Sequence, residues 1–297
     1  MLSTGINELK LRKEYAMQRP VVIFCASMIL VSIILWMRYM PKIEADMEAK
    51  LDIVNEWSLP EELDEISGMV WVEDNIIAAI QDEDGIIYSY DLEKKDIVHQ
   101  STFGDKGDYE GLAIKGSTAY VVRSDGTIFQ VDDWRNENPK TSEWETFLTD
   151  DHNVEGITLS ADAQSLLLTV KDEDPSGKSF KGIYTFDLIS HQLRKEPIAK
   201  IDFDDAAFND DEDQGDDKVF NPSGIDVHPK TGEMYIVDGK KSKLIIMDKQ
   251  WKIKKMVKLS ESQFPQPESI TFSNSGTMYI SNEGKKGSAN ILQPKGL

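Results

Sequence analysis

Three glutamates recur at one kind of place. Glu110 stands in DYEGLAI, Glu155 in NVEGITL and Glu268 in QPESITF, each ahead of a small residue and an apolar run. Carboxylates brought together repel one another unless a cation or a proton intervenes. Basic residues follow at comparable distances, with Arg123 closing STAYVVRS and Lys171 closing SLLLTVK. Similar runs elsewhere end in Gln81, Asp238 and Asn282, and Asp82 and Glu283 come next in line. Three chemistries fit such a set. The charges can satisfy one another as a structural network. They can line a pocket for a small molecule, glycan or protein partner. Or one of Glu110, Glu155 and Glu268 can act as a catalytic base, if burial and like charges raise its pKa.

A metal would change the third reading. Glu110, Glu155, Glu268 and Asn282 offer hard oxygen ligands, which suit Ca²⁺. A bound calcium would polarise an ester or lactone carbonyl and position water. The cofactor expectation is therefore Ca²⁺ or none. Other chemistries lack their residues. Cys25 is the one cysteine, so neither an intrachain disulfide nor a cysteine zinc site can form. His99, His152, His191 and His228 show no H-E-x-x-H spacing, although His152 precedes Glu155 by three positions. No G-x-S-x-G marks a nucleophilic serine.

These residues need a scaffold that gathers them. Five starts align, EISGMVW, DYEGLAI, NVEGITL, NPSGIDV and QPESITF, with register marks at Gly68, Gly111, Gly156, Gly224 and Ser269. The marks are 43, 45, 68 and 45 residues apart. A second strand follows each start (NIIAAIQ, STAYVVRS, SLLLTVK, GEMYIVD, GTMYISN), then a third, and in most repeats a fourth. Four antiparallel strands in about 45 residues are the unit of a β-propeller blade. A sandwich or barrel would explain the strands but not the recurring starts. The last repeat lacks a fourth strand, and LDIVNEWSL at 51–59 supplies a spare one. Closing the last blade with it removes both sheet edges. The expectation is an all-β, five-bladed propeller, with six blades as the alternative.

A sixth blade would have to hide between 203 and 220, a stretch of 18 residues. It reads instead as an inserted acidic loop. Its DDEDQGDD at 210–217 has the glycine one position early for an EF-hand. In a propeller the first strands converge on one axis. Ser67, Glu110, Glu155, Ser223 and Glu268 then become neighbours, with Glu65 just before Ser67. The expected ligand-binding set is Glu65, Glu110, Arg123, Glu155, Lys171, Asp238, Glu268, Asn282 and Glu283.

Together EISGMVW, GDYEGLAIKGSTAYVVRSDG, NVEGIT, KGIYTFDL, NPSGIDVHPKTGEMYIVDG and QPESITFSNSGTMYISNEGKKG resemble the SdiA-regulated family over residues 55–292. The resemblance implies a bacterial, membrane-associated propeller, similar at fold level to NHL-type and lactonase-type propellers. Lactonase-type propellers bind calcium near the axis, which is where the resemblance would put a metal. It implies no particular activity. Ser269 departs from the glycine of the other repeats and puts a local turn in question, but Glu268 stays.

The chain has 297 residues, 33 basic and 53 acidic side chains, and a net charge of -20. That balance argues against a nucleic-acid partner, whose backbone needs clustered Lys and Arg. Residues 1–50 hold 7 basic and 5 acidic side chains, so the acidic excess lies beyond them. VVIFCASMILVSIILWM at 21–37 is 17 uncharged residues flanked by Arg19 and Arg38. It reads as the heart of a single-pass span over 21–40, a retained signal anchor. Lys10, Arg12, Lys13 and Arg19 favour a cytoplasmic segment over 1–20. A stalk over 41–50 then leads to the propeller at 51–297. The expected place is a bacterial inner membrane, with the propeller in the periplasm or outside the cell. The leading functional expectation is ligand, glycan or protein binding at the axial face. The alternative is a Ca²⁺-assisted hydrolase of the lactonase or esterase type.

Overall fold

Short runs of β-branched and aromatic residues, bounded by Asp, Asn, Gly and Ser, become strands because such side chains fit a pleated, packed surface. Residues 49–209, 219–284 and 287–295 are described by the structure, a computed structural model. They lie within one unit, Glu48–Leu297. The expected span at 21–40, most of the stalk and the acidic loop at 210–217 lie outside the described residues. Among the described residues no helix is long and apolar enough to cross a membrane.

The first strand, β1 (Asp52–Ser58), is held in reserve for the end of the chain. Blade 1 follows with β2 (Ile66–Glu73), β3 (Ile76–Gln81), β4 (Ile86–Asp91) and β5 (Asp96–Thr102). Blade 2 holds β6 (Tyr109–Lys115), β7 (Thr118–Arg123), β8 (Ile128–Asp132) and β9 (Lys140–Trp144). Blade 3 holds β10 (Val154–Leu159), β11 (Ser165–Val170) and β12 (Phe180–Asp187). Its outer strand is split into β13 (Gln192–Leu193) and β14 (Ala199–Asp202), both paired with β12. Blade 4 holds β15 (Pro222–Val227), β16 (Met234–Asp238), β17 (Lys243–Met247) and β18 (Ile253–Lys258). Blade 5 holds β19 (Pro267–Phe272), β20 (Met278–Asn282) and β21 (Asn290–Lys295). β1 pairs antiparallel with β21 and completes it, so the ring is closed by the two ends of the propeller. The fold is the five-bladed propeller expected from the repeats.

The core lies between blades. Leu112, Val121 and Phe129 of blade 2 pack with Ala78, Ile80 and Ile87 of blade 1. Equivalent clusters join the other neighbouring blades. The insertion after blade 3 is more than an acidic loop. Phe208 and Phe220 flank its undescribed part and are fully buried against blades 3 and 4. A one-turn 3-10 helix, Ala206–Phe208, places Phe208, and Asp205 caps it by accepting from the Ala207 N–H at 2.9 Å.

The register explains how the axis is built. Each inner strand, β2, β6, β10, β15 and β19, carries an irregularity at its start. The unpaired residues there are Ser67, Glu110, Glu155, Ser223 and Glu268. A bulge re-aims the side chain of its extra residue. The following glycine lets the next blade come close. A Cβ on Gly111 would lie 2.5 Å from the Glu155 carbonyl oxygen, and one on Gly224 would lie 2.8 Å from that of Glu268. Ser269, the exception, uses its hydroxyl instead, accepting from the Met69 N–H of blade 1 at 3.0 Å.

Trp57 tests the closure. It lies on β1, is buried beside Tyr279, and donates from Nε1 to the Leu92 carbonyl at 2.7 Å. Trp57→Ala is expected to cost about 3–5 kcal/mol in chemical denaturation. Val54→Ala, on the same strand but 52% exposed, is expected to stay within about 0.5 kcal/mol.

Candidate functional site at the axial mouth

Three of the five bulge residues are glutamates and two are serines. The serines tie blades together. Ser67 donates to the Tyr109 carbonyl at 2.7 Å, and Ser223 to the Pro267 carbonyl at 2.6 Å. Glu110, Glu155 and Glu268 act on one another electrostatically and share a single field with Lys171. Lys171 Nζ lies 2.5 Å from Glu155 Oε1. Glu155 is 2% exposed and Glu268 7%, so this pair and its neighbours are largely withdrawn from water.

The second strands meet the axis one position later than alignment of the repeats suggests. Gln81, Arg123, Asp238 and Asn282 pair directly with the first residues of their inner strands, and Val170 is their equivalent in blade 3. Lys171 is the next residue along. Its true counterparts are Asp82, Ser124 and Glu283, each bonded through its N–H to the residue before the inner strand. A one-residue offset reverses the facing of a strand side chain. That separates residues the sequence groups together. Arg123 does not join the glutamates. Its guanidinium pairs with Asp125 at 2.7 Å and lies over Phe129. Asp238 is fully buried and accepts from the N–H groups of Asn221, Lys240 and Lys241 at 2.9–3.0 Å, holding a turn. Asn282 donates to the Gln263 carbonyl and to Asn290 Oδ1. Glu65 is exposed. Glu283 is brought in, through Gln266, whose Nε2 donates both to it and to Glu268 Oε1. His152 stays in its own turn, with Nδ1 accepting from the Thr149 N–H at 2.8 Å.

Residues just before the other inner strands, Asp108, Asn153, Asn221 and Gln266, complete the mouth; sequence reasoning named Glu65 at this position of the first repeat and missed these four. Asn153 donates to Glu155 Oε1 at 3.1 Å and to Asp172 Oδ2 at 3.3 Å. Asn221 donates to the Lys171 carbonyl at 2.9 Å, as does Lys181 Nζ, which fixes the strand end that carries the ammonium. Asp108 presses electrostatically on Glu110. Their common signal is position: each stands two places before a bulge residue, as Gln266 does. Their types vary, so no repeated letter marks them.

Charge controls protonation here. Burial raises Glu110 most, and Asp108, Glu268 and Asp82 add to it against Lys171, so its pKa stands at about 8. Glu155 is likewise held well above the usual carboxylate range by burial and Glu110, with Lys171 opposing. Burial alone would lower Lys171, but Glu155, Glu268 and Glu110 outweigh it and keep the ammonium charged. Glu110 makes no hydrogen bond or ion pair among the described residues and is only partly buried. It is a carboxyl group near neutrality, able to gain or lose a proton at physiological pH. The fit to calcium is poor. Among the described residues no group of three or more His, Cys, Asp or Glu is placed to hold a metal ion. The Lys171 ammonium already sits against Glu155, the most buried of the three glutamates among the proposed ligands.

The raised Glu110 pKa has a stability consequence. Below pH 4.5 its carboxyl is protonated in both folded and unfolded chains. Between 4.5 and about 8 the folded state keeps a proton that the unfolded chain has lost, so stability falls as pH rises through that window. Glu110→Gln is expected to leave stability near pH 4.5 almost unchanged. Above pH 8 it should raise stability by about 1–3 kcal/mol, allowing for solvent screening. Denaturation curves at the two ends of the range read this directly; an equal effect at both would contradict it.

The SdiA-regulated family model matches residues 45–285. No functionally curated protein matches the chain in sequence. Among solved structures, Myxococcus xanthus glutaminyl cyclase is 13% identical, with a TM-score of 0.56 over 82% of this chain and 97% of its own. The PQQ-bound aldose sugar dehydrogenase of Streptomyces coelicolor is 10% identical, with a TM-score of 0.51 over 82% of this chain and 97% of its own. At these identities the likeness is one of fold.

Proposed function

The chain belongs to the SdiA-regulated family, and we propose that it is a binding propeller whose axial mouth takes a small ligand rich in hydrogen-bond donors, such as an amine or an amino sugar. One observation carries this reading. Among the described residues Glu155 Oε2 is buried and has no hydrogen-bond partner, although Oε1 of the same carboxyl is engaged by Lys171 and Asn153. A buried acceptor left unsatisfied costs about 1–3 kcal/mol, which a ligand donor would recover. Glu110 stands in the same field, and no described residue bonds its carboxyl, so it can accept from a ligand or donate to it. The excess of acids at the mouth favours a ligand of positive charge and selects against anions.

A hydrolytic reading would use Glu110 as the proton acceptor. It is the weaker reading, because the calcium that would polarise the carbonyl finds no gathered ligand set among the described residues. In the binding reading, residues 21–40 anchor the chain in a bacterial inner membrane. The propeller then meets its ligand in the periplasm or outside the cell.

Calorimetric titration of the full chain in detergent with glucosamine, glucose and acetate tests the proposal. Glucosamine is expected to bind best and acetate not at all. Glu155→Gln, nearly isosteric, should weaken glucosamine at least about tenfold, or about 1.4 kcal/mol. Affinity unchanged in that variant, or acetate binding as well as glucosamine, would refute it.

A further inference from the structure

The inner strands that begin at the glutamates end around a different space. Their second halves enclose a cavity of about 390 Å³, with walls from all five blades. Trp71, Leu112, Ile157 and Phe272 give it an apolar lining, and Ala161 stands at its rim. Its volume falls in the range of small-molecule sites, and its composition, mostly apolar with few polar groups, is that of such a site.

One carboxylate faces this space. Asp226 lies on β15, and its two oxygens accept four hydrogen bonds. Oδ1 takes Thr158 Oγ1 and the Val227 N–H, both at 2.8 Å. Oδ2 takes Thr271 Oγ1 at 3.2 Å and the Phe272 N–H at 3.1 Å. These bonds lash blades 3, 4 and 5 together, so the carboxylate is rigidly placed. Every donor is neutral. No ion pair among the described residues includes Asp226. Among the described residues no lysine or arginine lines the cavity; His228 is the one basic side chain there, and its Nδ1 accepts from the Lys230 and Thr231 N–H groups rather than pairing with Asp226. A buried charge is ordinarily paired. Here hydrogen bonding is complete, but among the described residues the charge has no ion-pair partner, and the cavity is where a counter-ion would enter.

We propose that this far axial cavity binds a small protonated amine with an apolar body, its ammonium set beside Asp226 and its body against Trp71, Leu112, Ile157 and Phe272. Attraction to Asp226 selects the charge, and the faces of Trp71 and Phe272 add cation–π stabilisation. The apolar walls select against strongly hydrated cations and sugars. The site is separate from the glutamate mouth and does not depend on the function proposed for it.

Phenethylamine and 2-phenylethanol, similar in shape and different in charge, test the proposal on the full chain. The readout is the methyl NMR shifts of Ile114, Ile157, Ile225 and Ile270. Phenethylamine is expected to shift these methyls at concentrations at least about tenfold lower than the alcohol. Asp226→Asn should bring the two compounds to equal affinity. Ala161→Trp, which obstructs the rim without entering the core, should weaken both. Glu155→Gln should change neither. Equal affinity for the two compounds in the unmodified chain would overturn the proposal, and so would binding that Ala161→Trp leaves intact. Asp226→Asn also alters bonds between blades. Should it fail to fold, the unmodified chain and Ala161→Trp decide the matter by themselves.

Discussion

Close approach of neighbouring inner strands is the constraint on which the axis depends. It is obtained where Gly68, Gly111, Gly156 and Gly224 present no side chain to the next blade. A methyl group at any of them would meet backbone or side-chain atoms at less than 3.0 Å. The bulge beside each glycine is the second half of the same device. It leaves one residue per blade outside the ladder and turns it inward. Chemistry and packing are therefore set by adjacent residues. Glycine fixes how near the blades come, and its predecessor fixes what the axis presents.

That arrangement makes the mouth electrostatically demanding. Three converging carboxylates and the Lys171 ammonium cannot all be neutralised by one ion pair. The remainder is met by protons, because burial and neighbouring acids raise both Glu110 and Glu155 against the pull of Lys171. Removing Lys171 would take away the cation that opposes burial and Glu110, and so drive the Glu155 carboxyl further toward its protonated form. The amides of Asn153, Asn221 and Gln266 do supporting work. They orient carboxylates or the strand end that carries the ammonium, without adding charge of their own.

The fold was legible because its signal repeats. The register marks recur, apolar strands follow them, and the unclaimed strand at 51–59 has one place to go. The glutamates were legible for the same reason, since Glu110, Glu155 and Glu268 occupy one position of the repeat. The second ring was not. In a strand the facing of a side chain reverses with each residue, so reading Arg123 as the counterpart of Lys171 misplaced it by one position. Arg123 then found Asp125 within its own turn, a local pairing that competes with any role at the axis. Asp226 was invisible for another reason. It sits mid-strand in SGIDV, where an acid reads as an outward residue, and only three-dimensional proximity to Thr158 and Thr271 shows otherwise. Ser269 shows the reverse case, in which an apparent departure from the repeat supplies a bond between blades.

The two ends of the axis thus differ in kind. One is an acidic mouth gathered around the Lys171 ammonium, and the other an apolar cavity around a single carboxylate. Convergence of Glu110, Glu155 and Glu268 on one field is the central claim, because the proposed binding role follows from it. Carboxyl carbon NMR titration of the intact chain, with Glu110 assigned by comparison with Glu110→Gln, tests that claim most directly. The expected Glu110 midpoint is about 8, and it falls when Glu268 is replaced by Gln. A midpoint near 4.5, unmoved by that replacement, would mean that the glutamates do not share a site.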